Sequence, residues 1–494
     1  MSVIRAAASG AFWSIGIGVG VRVVGLVGTL AITHYLTPDV LGEVAAATIL
    51  AMTASWLSHW GFNQYVIVKG PDSADGVFHA TVLHLALGLV AIGIVVALAG
   101  RFTGFLNAPN LDDYLPGMAI VVLIKRFGSI PDKLLVRDMR FKTIALANGA
   151  GELVYIALAV SLVAGTDLGG HAIVLANIVQ ATLVTTLIVR AAGFSRWLSP
   201  KPWRWSRVRE ILRFGAPIGM ESVLFEAGRQ WDKLMFSRLF GPNVTGMYSL
   251  SYNLSDLPAT YVGEHVATVL VPTMVNIEPA RRHQVFAEAC GLLAFVVLPM
   301  AVGLACVADT LVKVLLSPAW QGVGDFLVVL AAIAFFRPMT AAVSSFLMAM
   351  ERTWPLLWFE ALKMAVMFGG IALLAGHGPV VAAAALPLGL ACQLGASLAV
   401  LSREGFPVRS LAAQLRGPVV SALAIVGVVL ALRAAFEPTG VPLAIRLAVE
   451  VVAGAAAYLL AAWLFARPTC DRFVFAVREQ LRRRRRPAGS EGAA

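Results

Sequence analysis

Between Ile211 and Pro258 an apolar stretch carries four charges, Glu226, Arg229, Asp232 and Lys233. Glu226, Arg229 and Lys233 stand at i, i+3 and i+7, so a helix places them on one face. An ionised side chain at membrane depth is costly in lipid, so this stripe must face water or protein. The turn Phe240-Gly241-Pro242-Asn243 ends the helix, and a second apolar helix follows. Any fold for this chain must give those charges an interior.

The same pattern occurs near the N-terminus. His34 to Gly42 aligns without a gap on Arg238 to Gly246, so Pro38 matches Pro242 and Gly42 matches Gly246. In that register Arg22 lies opposite Glu226. The spacing predicts two related halves, each opening with a helix that holds charge at membrane depth.

Composition agrees. Of 494 residues, 59% are hydrophobic and only 14% charged, with mean hydropathy +0.79. A soluble protein carries roughly a quarter charged residues. The fold expected is an all-α polytopic membrane protein with about fourteen spans of roughly 20 residues. These are placed near 11–33, 41–63, 78–99, 114–131, 144–164, 170–191, 211–236, 245–270, 286–307, 323–348, 355–375, 380–401, 415–435 and 443–466. The first run is too long for a signal-peptide core and reads as a membrane helix. The net charge of +11 would suggest nucleic acid in a soluble protein. Here it concentrates in alternate loops and the tail, which fits membrane orientation instead. By the positive-inside rule both termini and the linker are cytoplasmic.

The organisation expected is an N-terminal lobe of six helices (1–193), a cytoplasmic linker (194–210), a second six-helix lobe (211–405), an accessory helix pair (406–466) and a basic tail (467–494). The linker FSRWLSPKPWRWSRVR interleaves tryptophan with basic residues and suits a membrane interface. The arginine run of the tail reads as a topology anchor before it reads as a headgroup site.

Soluble-enzyme motifs are absent. No GxxxxGK[ST] loop occurs, so the chain is not itself an ATPase. Cys290, Cys306, Cys392 and Cys470 form no CxxC pair and read as packing residues. His79 and His84 read as packed or interfacial, not as metal ligands, and Asp112-Asp113 as a helix-start signal. No catalytic or metal site is expected. The informative residues are the charges at membrane depth: Arg22, Glu226, Arg229, Lys233 and Arg337, with Lys125, Arg126, Glu360 and Lys363 as weaker candidates. Ser14, Gly18, Gly25 and Thr29 share the helix face of Arg22 and leave room beside it. Pro338 opens the backbone after Arg337. Lys125, Arg126 and Lys363 stand toward the basic side and Lys233 toward the other, where snorkelling competes with a site; Glu360 and Lys363 can pair at i, i+3. Cations outnumber anions, which favours an anionic substrate with arginine as a bidentate phosphate ligand.

The segments GAFWSIGIGVGVRVVGLVGTLAITHYLTPDVLGEV, LLVRDMRFKTIALAN (134–148) and LFGPNVTGMYSL resemble the bacterial polysaccharide transporters. These are the lipid-linked oligosaccharide flippases of the multidrug/oligosaccharidyl-lipid/polysaccharide exporter superfamily. The resemblance covers about the first four hundred residues. It implies two six-helix bundles around a central cavity with two accessory C-terminal helices. It also implies a transporter, not an enzyme, which moves an undecaprenyl-pyrophosphate-linked repeat unit across the inner membrane by alternating access. The partners implied are that substrate, membrane lipids and, as an open expectation, a polymerase and chain-length machinery; nucleic acid is not among them. No cofactor is implied. Coupling to a proton or sodium gradient stays open, with Glu226 the carboxylate of interest. A multidrug exporter, a peptidoglycan-precursor flippase and, less favoured, a membrane polymerase or glycosyltransferase are the rival readings. An arginine-rich interior argues against the first. Short outward loops argue against the last.

Overall fold

The computed structural model describes residues 20, 24–69, 74–275, 277–352, 354–437 and 440–485. Arg22, Ser14, Gly18, most of the first expected span and the end of the basic tail therefore lie outside the described residues. Every regular element among the described residues is helical. Hydrocarbon offers no partner to a backbone N–H or C=O, and a helix satisfies both internally.

The helices are α1 (24–32), α2 (Pro38–Leu57), α3 (Phe62–Lys69), α4 (Ala74–Ala97), α5 (Ala99–Leu106), α6 (Leu111–Arg137), α7 (Phe141–Gly165), α8 (Gly170–Ala192) and α9 (Trp205–Val275). They continue with α10 (Pro279–Leu315), α11 (Val323–Leu330), α12 (Ile333–Ala349), α13 (Trp354–Leu374), α14 (Pro379–Ala383), α15 (Ala385–Arg403), α16 (Val408–Phe436), α17 (Leu443–Phe465) and α18 (Arg467–Arg485). Ten helical stretches among the described residues are long and apolar enough to cross a membrane. The chain is a multi-pass membrane protein. The other four expected spans fall near the N-terminus, in α6 and in α9. Helices α6 and α9 carry Lys125, Arg126, Glu226, Arg229, Asp232 and Lys233. Exposed apolar side chains such as Leu423, Leu459, Leu460 and Leu464 lie on helix faces suited to lipid.

The chain divides into two compact units, Met1–Ser249 and Leu250–Ala494. In the first unit α6 packs against α2, α3, α4, α5, α7 and α8, so a strongly charged helix is also an enclosed one. Its N-terminus is held by the buried Glu43, whose carboxylate accepts from the Asn110 backbone at 3.1 Å and from its side-chain amide at 3.0 and 3.2 Å. The linker is strapped to this unit. Trp197 is buried in the cluster of Phe62, Tyr65, Ile130 and Ile211. Arg196 donates to both oxygens of Asp138, at 2.6 and 3.1 Å. That contact holds the Asp138 carboxyl below its usual range. Its stabilising effect is present above the ordinary carboxylate range and lost as pH falls through the lowered value. Buried His79 stacks on Trp203 at 4.9 Å, and its Nε2 accepts the Arg204 backbone N–H at 2.9 Å.

In the second unit α10 packs against α12, α16 and α17, around an aromatic core in which Phe286 stacks on Phe346 at 4.2 Å. Tyr458 of α17 donates to the Phe295 carbonyl at 2.7 Å. The carboxylate of Glu450, fully buried, meets Arg446 at 3.1 Å and Arg433 at 3.5 Å.

The two matched turns of the repeat meet within the first unit. A Cβ on Gly42 would collide with the Pro242 carbonyl, and one on Gly246 with the Pro38 carbonyl. The relation is reciprocal, residue for residue. Asn243 adds a hydrogen bond to Asp39 at 3.0 Å. Gly241, at φ 79°, breaks the helical path of α9 and so presents the second turn. A methyl at either seam glycine meets backbone, which cannot rotate away. Gly42→Ala and Gly246→Ala should each destabilise the protein by about 1–3 kcal/mol. Gly93→Ala, with open space around its Cβ, should not destabilise it. Thermal unfolding of the three purified variants checks this; equal Tm values would refute the close seam.

Candidate functional site

Within the first unit a cavity of about 370 Å3 is bounded by α2, α4, α6, α8 and α9. Apolar side chains, Met52, Trp56, Met118, Val121 and Val122, make part of its wall. Its polar groups are Lys125, Arg126 and Ser129 from α6, Asn177 from α8, and Ser222 and Glu226 from α9, together with His59 and His84. A second cavity of about 300 Å3 shares Trp56 with it and is otherwise apolar, lined by Leu57, Trp60, Met220, Val223 and Leu224 among others.

The two adjacent cations of α6 do different work. Arg126 is buried, and its guanidinium donates to the carbonyls of His84 (2.7 Å), Ser55 (3.1 Å) and Ser58 (2.8 Å), and to the Ser55 hydroxyl (3.0 Å). Ser55 and Ser58 are at the C-terminal end of α2, where carbonyls lack helical partners and a cation is favoured. Arg126 is thus committed to tying α2 and α4 onto α6. Lys125 is exposed and lines the cavity. Among the described residues it makes no hydrogen bond or ion pair. An ammonium in that position has three donors to offer.

Around these cations the polar groups are organised. Asn63 donates to His59 Nε2 and to the Ser129 hydroxyl, both at 2.8 Å. His84 is buried with an edge-on ring contact to His59 at 5.7 Å, and both its ring nitrogens lack a partner among the described residues. Glu226 is half-buried, and Arg229 is the charge in its electrostatic reach. The Arg229 guanidinium lies 5.7 Å from the Phe225 ring centroid. Lys233 is buried and donates to Gln230 at 2.8 Å. Its neighbour Asp232 accepts from the Tyr248 hydroxyl at 2.6 Å.

The remaining sequence candidates lie in the second unit. Arg337 forms an ion pair with Asp256 and donates to the Tyr252 hydroxyl at 2.8 Å. Lys363 pairs with Glu360 on the same helix, and Gln393 donates to the other Glu360 oxygen at 3.3 Å. Of the nine named candidates, the cavity of the first unit brings together Lys125, Arg126 and Glu226. Sequence reasoning missed His59, Asn177 and two carboxylates, Glu152 and Asp256. The signal for the carboxylates was present: Glu152 is a lone acid inside an expected span, and Asp256 also stands inside one.

The different roles of Lys125 and Arg126 are separable. Removing Arg126 leaves three carbonyls without their charged donor, at about 1.5–3 kcal/mol for each such bond. Arg126→Ala should therefore sharply lower the amount of folded protein in the membrane, whereas Lys125→Ala should leave it near normal. Fluorescence-detected gel filtration of detergent extracts measures both; equal yields would contradict the clamp.

Comparison with known proteins places these features in context. The family model described as "Polysaccharide biosynthesis protein" matches residues 32–324. The chain is 22% identical over 354 residues to the lipopolysaccharide biosynthesis protein WzxC of Escherichia coli K12, covering 71% of this chain and 72% of that protein. It is 23% identical to the succinoglycan biosynthesis transport protein ExoT of Rhizobium meliloti, with 71% of each covered. Among solved structures, the lipid II flippase MurJ in an inward closed conformation aligns with TM-score 0.74 at 13% identity, over 93% of this chain and 99% of that one. An inward-facing multidrug transporter of the MATE family aligns with TM-score 0.62 at 12% identity, over 78% and 94%. These likenesses show a shared transporter fold.

Proposed function

Because the chain belongs to the polysaccharide biosynthesis protein family, we propose that it is a flippase for a lipid-linked oligosaccharide. In this reading the repeat unit is carried on undecaprenyl pyrophosphate and moves from the cytoplasmic to the periplasmic leaflet of the inner membrane. Both termini and the Phe194–Arg209 linker face the cytoplasm, as the Lys/Arg distribution favours. The chain binds and reorients its substrate and makes or breaks no covalent bond.

The observation that carries this reading is Lys125. It offers an uncommitted ammonium to a cavity lined by both polar and apolar side chains. The adjoining apolar cavity shares Trp56. An amphiphile with a phosphorylated head, a hydroxyl-rich sugar and a hydrocarbon tail meets complementary chemistry in each part. Asn177, Ser129 and Ser222 suit sugar hydroxyls, and Lys125 suits the pyrophosphate. Arg22 and Arg229 are proposed as further cations for the anionic head, with Lys233 and Arg337 as additional contacts. Transport then proceeds by alternating access, one lobe rocking against the other. Glu226 is the proposed carboxylate for any coupling proton or sodium ion. Partnership with a polymerase or chain-length protein follows from the pathway.

The test is glycan export in a strain lacking the chromosomal gene, with protein level measured in the same membranes. Lys125→Ala should reduce export at normal protein level, and Lys125→Arg should retain more of it. Arg22→Ala and Arg229→Ala should also impair export, with Arg22→Lys a partial rescue. Full export by all three alanine variants would refute the anionic-head reading.

A further inference from the structure

Lys125 has a counter-charge outside the cavity lining. Glu152 of α7 lies within its electrostatic reach, while Glu226 is in reach of Arg229 instead. The two cation–anion couples are thus separate. Glu152 is half-buried at membrane depth and close to Gly25 of α1, where a Cβ would stand 2.9 Å from its Oε1. Its Oε2 accepts from Gln180 of α8 at 2.8 Å. Gln180 is one helical turn beyond Asn177, which lines the cavity. Gln180 of α8 thus anchors a carboxylate of α7 that is not among the cavity-lining residues, within electrostatic reach of the ammonium but not closed onto it. No salt bridge forms between them, since Lys125 makes no ion pair among the described residues.

That separation is informative. A direct ion pair would occupy the ammonium and close the site. An absent carboxylate would leave the full positive charge uncompensated at the cavity, where it would hold an anion more tightly. A carrier needs an intermediate grip, because a ligand bound too tightly on one side is not released on the other.

We infer that Glu152 is an affinity-setting counter-ion for the anionic head at Lys125. Resting on the flippase reading above, this makes Glu152 a positioning residue that acts through Lys125 and does not touch the substrate. In the empty protein the carboxylate offsets part of the ammonium charge. When a pyrophosphate enters, the two anions compete for the same cation, and the fixed carboxylate weakens the hold on the mobile one. Gln180 keeps Glu152 from swinging into the cavity.

The measurement is binding of undecaprenyl pyrophosphate to the full-length protein in phosphatidylcholine nanodiscs, followed by tryptophan fluorescence, with glycan export measured in parallel. Glu152→Gln keeps the shape and removes the charge. It should bind at least about fivefold more tightly, and export should fall because release slows. Glu152→Asp keeps the charge and should stay near wild type. In a Lys125→Ala background the Glu152→Gln gain should vanish. The inference is overturned if Glu152→Gln binds no more tightly, if Glu152→Asp matches it, or if the gain survives without Lys125. Lys125→Ala separates the two levels. If it leaves binding unchanged, the placement of the head at Lys125 fails, and this inference with it. If it weakens binding while Glu152→Gln does nothing, only the counter-ion role fails.

Discussion

Hydrocarbon cannot solvate an ion, and this single constraint accounts for most of the polar architecture. Each charge that the chain carries to membrane depth must be discharged by protein or given water. Arg126 is discharged by backbone carbonyls, Arg337 by Asp256 and Tyr252, Lys363 by Glu360, and Glu450 by two arginines. These are local solutions, each sewing neighbouring helices together. They are costly to break, because removing one partner leaves the other charge buried and uncompensated. Lys125 stands apart. It keeps its donors and faces a cavity.

Seen this way, a binding site in a membrane protein is the place where the discharge of a charge is deferred. The neighbouring residue, Arg126, has the same sign and helix but the opposite fate. Both reach the cavity wall, but one residue of rotation, about 100°, carries Arg126 onto the carbonyls of His84, Ser55 and Ser58 and leaves the Lys125 ammonium outside them. The helix that holds both is rigidly surrounded, so the deferred charge is presented at a fixed place. The proposed flippase reading takes up this feature, since an amphiphilic anion can provide the missing partner.

The helical fold was legible because long apolar runs admit few alternatives at this length. The turn repeat was equally legible, since Pro38 and Gly42 recur at the same spacing in Pro242 and Gly246. The site was legible only in part. Lys125 and Arg126 read alike in sequence, both placed toward one end of a span where snorkelling is available. What separates them is the packing of α6 among six neighbours, which no local pattern encodes. Glu152 was a lone acid whose hydrogen-bond partner lies 28 positions away, and Asp256 pairs with an arginine 81 positions away. Charges on one helix can be matched by counting turns. Charges matched across helices require the fold first.

The reciprocal seam between the two turns has a genetic consequence. In most tight contacts, a bulkier residue on one side can be accommodated by a smaller one on the other. At Gly42 and Gly246 each partner surface is a main-chain carbonyl, which has the same shape whatever residue carries it. Exchange of side chains across the seam therefore offers no intragenic suppressor. Relief must come from moving whole helices. Each of the two matched turns is thus held to glycine at this position by the main chain of the other.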